Sequence, residues 1–119
     1  MSDQAPPERL VLHRRSRELE VGFSDGDVYR LPAEYLRVYS RSAEVRGHGA
    51  GQEKLVTGKR EVAIERVEPV GNYAVCLYFS DGHDSGIYSW EYLRELGRDR
   101  DHLWNRYLKQ LLEQGGSRE

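Results

Sequence analysis

Apolar and polar residues alternate over several short stretches, and the alternation sets the elements. Leu10 and Leu12 share one side of a strand over 8–13, with Val11 on the other. Arg14-Arg15-Ser16-Arg17 is a polar turn. Over 18–23, Leu19, Val21 and Phe23 point one way and Glu18, Glu20 and Gly22 the other, the pattern of a half-buried strand. Ser24-Asp25-Gly26 predicts a hairpin turn, because Asp-Gly readily takes positive φ, and 27–31 is the returning strand. Pro32 then opens a short helix over 33–38, where its missing N–H costs nothing. Residues 40–58 hold Gly47, Gly49, Gly51 and Gly58 with little apolar content and read as a long loop. Val62, Ala63, Ile64, Val67 and Val70 mark an extended run, in which Pro69 implies an edge or a strand end. Tyr73, Val75, Leu77 and Phe79 share one face of the next strand, with Ala74, Cys76 and Tyr78 on the other. Ser80-Asp81-Gly82 turns the chain into its partner over 84–88. Ser89 predicts an N-cap for a helix carrying Trp90, Leu93 and Leu96, with Gly97 as its C′ residue. Asp99 or Asp101 caps a last helix over 99–114, striped by Leu103, Trp104, Tyr107, Leu108, Leu111 and Leu112 and ended by Gly115-Gly116.

Within this pattern the chain repeats itself. Phe23-Ser24-Asp25-Gly26 followed by Glu34-Tyr35-Leu36-Arg37 recurs as Phe79-Ser80-Asp81-Gly82 followed by Glu91-Tyr92-Leu93-Arg94. The turns lie 56 positions apart and the helices 57. The physical reading is a duplicated unit of strand, Asp-Gly hairpin, strand and helix, with Tyr35-Leu36 and Tyr92-Leu93 anchoring each helix to its own hairpin. The units differ at one point: His83 follows the second turn where Asp27 follows the first. The predicted fold is α+β, a small antiparallel β-sheet domain built from two strand-hairpin-helix repeats, with a C-terminal helix. A flexible leader, 1–7, precedes it, and 115–119 is expected to be a free tail.

Composition narrows the function classes. A 119-residue chain holds one domain, and 38% hydrophobic residues predict a thin core that eight Tyr, two Trp and two Phe help to fill. Eighteen basic against twenty acidic residues give a net charge of −2, which is no footprint for nucleic acid or an anionic membrane. No apolar run reaches the ~18 residues of a transmembrane helix. One cysteine, Cys76, excludes disulfides within the chain and fits a reducing, cytoplasmic location.

Two polar clusters are candidate sites. Asp81-Gly82-His83-Asp84-Ser85 sets an imidazole between carboxylates on a turn, a set able to bind metal or move a proton, although turns favour these residue types for conformation alone. Arg46-Gly47-His48-Gly49-Ala50-Gly51 flanks a histidine with glycines that let backbone approach a ligand, or it is simply a flexible loop. It is neither a P-loop nor a dinucleotide fingerprint. His48 and His83 with Asp81 or Asp84 form a metal-ligand set if the fold brings them together. No Gly-x-Ser-x-Gly elbow, His-x-Asp or His-x-Glu pair occurs, and Cys76 reads as a small buried strand residue.

The run Leu31 to Ser40, then Ser42-Ala43-Glu44-Val45 and Gly47-His48-Gly49, resembles the N-terminal domain of gamma-butyrobetaine hydroxylase-like proteins. So do Val67 to Ala74 and Asp81 to Trp90, and the likeness spans 8–98. The resemblance implies a compact α+β accessory domain. In eukaryotic hydroxylases of carnitine synthesis such a domain precedes an iron- and 2-oxoglutarate-dependent catalytic domain and carries zinc on three cysteines and one histidine. His83 matches that histidine, but the cysteine positions fall on Ser40, Ser42 and Val45, so the zinc site is lost here. Similar domains are also fused to P-loop ATPases that carry iron–sulfur clusters. The resemblance and the incomplete catalytic sets together predict a non-catalytic binding or adaptor domain. Its partner would be a protein such as an iron–sulfur carrier ATPase or an oxygenase. Its surface would join His48 and Gly49 to Asp81, His83, Asp84 and Ser85. The alternative is a metal-binding protein or metalloenzyme that holds iron or zinc with His83 and His48 or nearby carboxylates.

Overall fold

The structure is a computed structural model in which residues 6–40, 57–82 and 86–118 are described. Strands β1 (Arg9–His13), β2 (Glu18–Gly22) and β3 (Val28–Pro32) form one antiparallel sheet in that order. Helix α1 (Ala33–Val38) leaves β3 directly. Strands β4 (Ile64–Val70), β5 (Ala74–Phe79) and β6 (Gly86–Ser89) form a second antiparallel sheet, followed by α2 (Trp90–Arg98) and α3 (Arg100–Gln114). The α+β class and the duplicated unit are therefore present as expected. Pairing registers such as Leu19↔Leu31 and Leu77↔Gly86 follow from the two Asp-Gly hairpins, whose Gly26 and Gly82 hold φ of +96° and +89°. Pro69 lies near the end of β4, an edge strand, where its missing N–H breaks no central ladder.

The core collects the inward residues of both sheets, Leu19, Val21 and Leu31 with Ile64, Val75, Leu77 and Phe79, beneath Leu36, Leu93 and Leu96 of the helices. Tyr35, Tyr88 and Tyr107 are among the largest fully buried side chains, so tyrosine does supply the bulk that the aliphatic content lacks. Ser89 caps α2 by accepting from the Tyr92 N–H at 3.0 Å, and Gly115 ends α3 at φ +69°. No helix among the described residues is long and apolar enough to cross a membrane.

Several local expectations are corrected. Tyr73 is 58% exposed and sits in the turn before β5, where its carbonyl accepts from Trp90 N–H instead of joining the ladder. Gly97 is inside α2 and not its C′ residue, because the Tyr29 ring packs where a side chain would be. Asp99 joins α2 to α3 by backbone bonds, with no side-chain cap. The segment after α3, expected to be free, is docked. Gly58 N–H donates to Ser117 O at 3.0 Å, Arg60 N–H donates to Arg118 O at 2.9 Å, and Arg118 forks onto Glu34.

Candidate functional site

The helix anchors cross between the repeats. Tyr35 of α1 donates its hydroxyl to Leu96 O at the end of α2 (2.7 Å), and Tyr92 of α2 donates to Tyr39 O at the end of α1 (2.6 Å). Donors and acceptors are each 57 positions apart, so one bond maps onto the other under the repeat. Each helix thus ties off the last-turn carbonyls of the other, groups a helix terminus leaves unpaired. The sequence assigned these tyrosines to their own hairpins, and the structure corrects that. Burial holds the Tyr35 and Tyr88 hydroxyls well above the ordinary tyrosine range, so both remain donors.

The repeat's arginines cross in the same way and build two corners. At the first, Arg94 of α2 pairs through Nη2 with Asp25 and, at 2.7 Å, with Asp27 of the first hairpin. Its guanidinium lies 4.7 Å over the Phe23 ring. A backbone N–H from Asp27, then Arg94, holds the Asp25 carboxyl below its ordinary range. At the second corner, Arg37 of α1 donates through Nε to Asp81 Oδ2 at 2.9 Å, and Lys59 Nζ meets the same oxygen at 2.5 Å. Arg37 is 12% exposed, and its buried Nη1 has no hydrogen-bond acceptor among the described residues. Such a group costs free energy unless something else receives it.

Packing around the corners is exchanged as well. Beside the first, the Tyr29 ring covers Gly97, and a Cβ there would lie 2.4 Å from Tyr29 Cγ. At the matching positions of the second stand Gly86 and Ser40, with Ser40 Oγ 3.3 Å from where a Gly86 Cβ would be. Ser40 is buried and hydrogen-bonds the Tyr88 hydroxyl, which donates to Leu36 O. A serine hydroxyl committed to a buried tyrosine is no substitute for a thiolate, so the cysteine-based zinc site implied by the resemblance does not fit this chain. Among the described residues, no three His, Cys, Asp or Glu side chains gather as a metal-ligand set.

Of the sequence-predicted site, Asp81 stands in the second hairpin turn. His48, Gly49, His83, Asp84, Ser85, Ser42 and Val45 lie outside the described residues. Sequence reading missed Arg37, Lys59, Glu34 and Arg118. The first had a signal: Arg37 and Arg94 repeat in step with Asp25 and Asp81, as the two halves of a crossed ion pair must.

Residues 10–94 match the family model described as "Gamma-butyrobetaine hydroxylase-like, N-terminal". Two NMR solution structures are similar. One has 46% identity and a TM-score of 0.85, covering 98% of this chain and 91% of that one. The other has 49% identity and a TM-score of 0.86, covering 100% and 89%. A crystal structure of a protein with unknown function from Acidithiobacillus ferrooxidans is 41% identical, with a TM-score of 0.67, covering 82% of this chain and 98% of that one. No curated protein matches. The chain belongs to the family of gamma-butyrobetaine hydroxylase-like N-terminal domains.

Proposed function

We propose that the chain is a non-catalytic binding domain that uses its second corner to engage a partner protein, one connected with iron–sulfur or other metal-cofactor proteins. The observation that supports it most is the inequality of two corners built from the same repeat. Arg94 is satisfied by two carboxylates of its own chain, whereas Arg37 shares one with Lys59 and keeps a buried N–H that finds no acceptor among the described residues. A corner that only held the fold together would gain by supplying the second carboxylate, as Asp27 does for Arg94. An acidic group on the partner completes the second corner in this reading. The link to metal-cofactor proteins rests on the family resemblance.

The test is affinity capture with wild-type, Arg37→Met and Arg94→Met baits of matched foldedness. The reading expects a protein held by wild type and Arg94→Met but lost from Arg37→Met. Identical capture by all three, or substrate turnover by the domain alone, would contradict it.

A further inference from the structure

A second built site lies where the segment after α3 meets α1, and it does not depend on the corner reading. Glu34, in the first turn of α1, keeps its side chain only 8% exposed. It receives Arg118 as a fork, Nε to Oε2 at 2.8 Å and Nη2 to Oε1 at 2.7 Å. The guanidinium carbon sits 5.3 Å from the Trp104 ring centroid. The backbone of the same segment meets the irregular stretch before β4, where the Gly58 and Arg60 amides donate to the Ser117 and Arg118 carbonyls. Gly115, at φ +69°, and the close approach of Gly116 to Leu111 and Thr57 bring the segment down into place.

The repeat supplies a control. The position matching Glu34 in the second unit is Glu91, which is solvent-exposed. The duplicated architecture therefore does not require a buried carboxylate at this place. A buried acid costs free energy unless a cation with matching geometry meets it, and arginine's planar fork meets it better than lysine's point charge.

We propose that this groove is a docking site for an extended, arginine-bearing segment of a partner protein, and that residues 116–118 occupy it as a built-in competitor. The pocket formed by Glu34 and Trp104 selects arginine, and the Gly58 and Arg60 amides hold the peptide backbone without regard to sequence. A tethered segment at an effective concentration on the order of millimolar outcompetes a short peptide in trans, so partner access depends on displacing it.

The experiment uses the full chain carrying Arg118→Gln, with the synthetic peptide Gly-Gly-Ser-Arg-Glu as the probe and Gly-Gly-Ser-Gln-Glu as its control. NMR follows the Gly58 and Arg60 amides and the Trp104 indole N–H. In the variant, the arginine peptide is expected to shift all of these signals saturably and the glutamine peptide to shift none. Wild-type protein is expected to respond at least tenfold more weakly. A folded variant that ignores the arginine peptide, or answers both peptides alike, overturns the proposal and leaves the segment as a structural closure. If Arg118→Gln does not fold, Arg118→Lys, which keeps the charge and loses the fork, is read in the same way. A response confined to the arginine peptide supports the site, and silence overturns it.

Discussion

The two Asp-Gly corners are built from the same repeated residues and are completed differently. The first is closed within the chain: two carboxylates for one arginine, an aromatic ring under the guanidinium, and a tyrosine laid over a glycine of α2. The second puts two cations on one carboxylate oxygen and, among the described residues, leaves a buried N–H of Arg37 without an acceptor. The units also differ in sequence just here: His83 follows the second turn directly, in a spacing one residue longer than that of the first unit. Duplication supplies two copies of a stable device, so one can go on holding the fold while the other departs from the arrangement that is best for stability.

The packing exchange offers the strongest way to break the comparison. Gly97→Ala puts a methyl 2.4 Å from Tyr29 Cγ, near the root of a ring that cannot swing clear without leaving Phe23. A loss of about 2–3 kcal/mol is expected by denaturant unfolding. Gly86→Ala meets ring-edge atoms at 3.0 and 3.3 Å and a serine hydroxyl at 3.3 Å, and should cost about 1 kcal/mol. Equal losses would mean that the two corners are packed alike.

The crossed tyrosines test the symmetry that remains. Tyr35→Phe and Tyr92→Phe each strand one carbonyl at a helix end, and each should cost about 1–2 kcal/mol. A large loss at one position and none at the other would show that the bonds are reciprocal in geometry alone.

These tyrosines also mark how much was legible in the sequence. The hairpins, the Ser89 cap and the α3 stop were readable because each is fixed by residues within a few positions of one another. Tyr35 and Tyr92 were visible as a repeat, but the direction in which they bond was not. Periodicity says that a side chain faces inward and never which carbonyl lies there. Gly97 read as a terminator because its neighbour in space, Tyr29, is 68 positions away. Glycine and charge read as a free tail at 115–119 because Glu34, the acid that holds Arg118, is 84 positions back. The sequence singled out Asp81 and passed over Arg37, whose place beside it emerges only when both corners are compared.

Smaller effects follow from protonation. Asp25 has its carboxyl lowered in the fold by the Asp27 N–H and Arg94, so its contribution is complete above the ordinary carboxylate range, near about pH 4, and is lost as pH falls below it. Asp25→Asn should flatten the acid limb of the pH–stability curve. A parental slope retained by that variant would remove Asp25 from the account. At the alkaline end the sign is opposite. Tyr35 and Tyr88 are raised in the fold, so their contribution is present below about pH 10 and is lost as pH rises beyond it. Their ionisation, followed by ultraviolet absorbance, should coincide with unfolding.

The central claim, that one corner serves the fold and the other is held open for a partner, is tested most directly by thermal unfolding of Arg94→Met beside Arg37→Met. Arg94→Met leaves two neighbouring carboxylates without their cation and removes the contact on Phe23. Arg37→Met leaves Asp81 with Lys59 and removes a buried N–H that has no acceptor among the described residues. The account predicts a midpoint lowered by several degrees for Arg94→Met and unchanged or raised for Arg37→Met. A drop for Arg37→Met equal to or larger than that for Arg94→Met would contradict it.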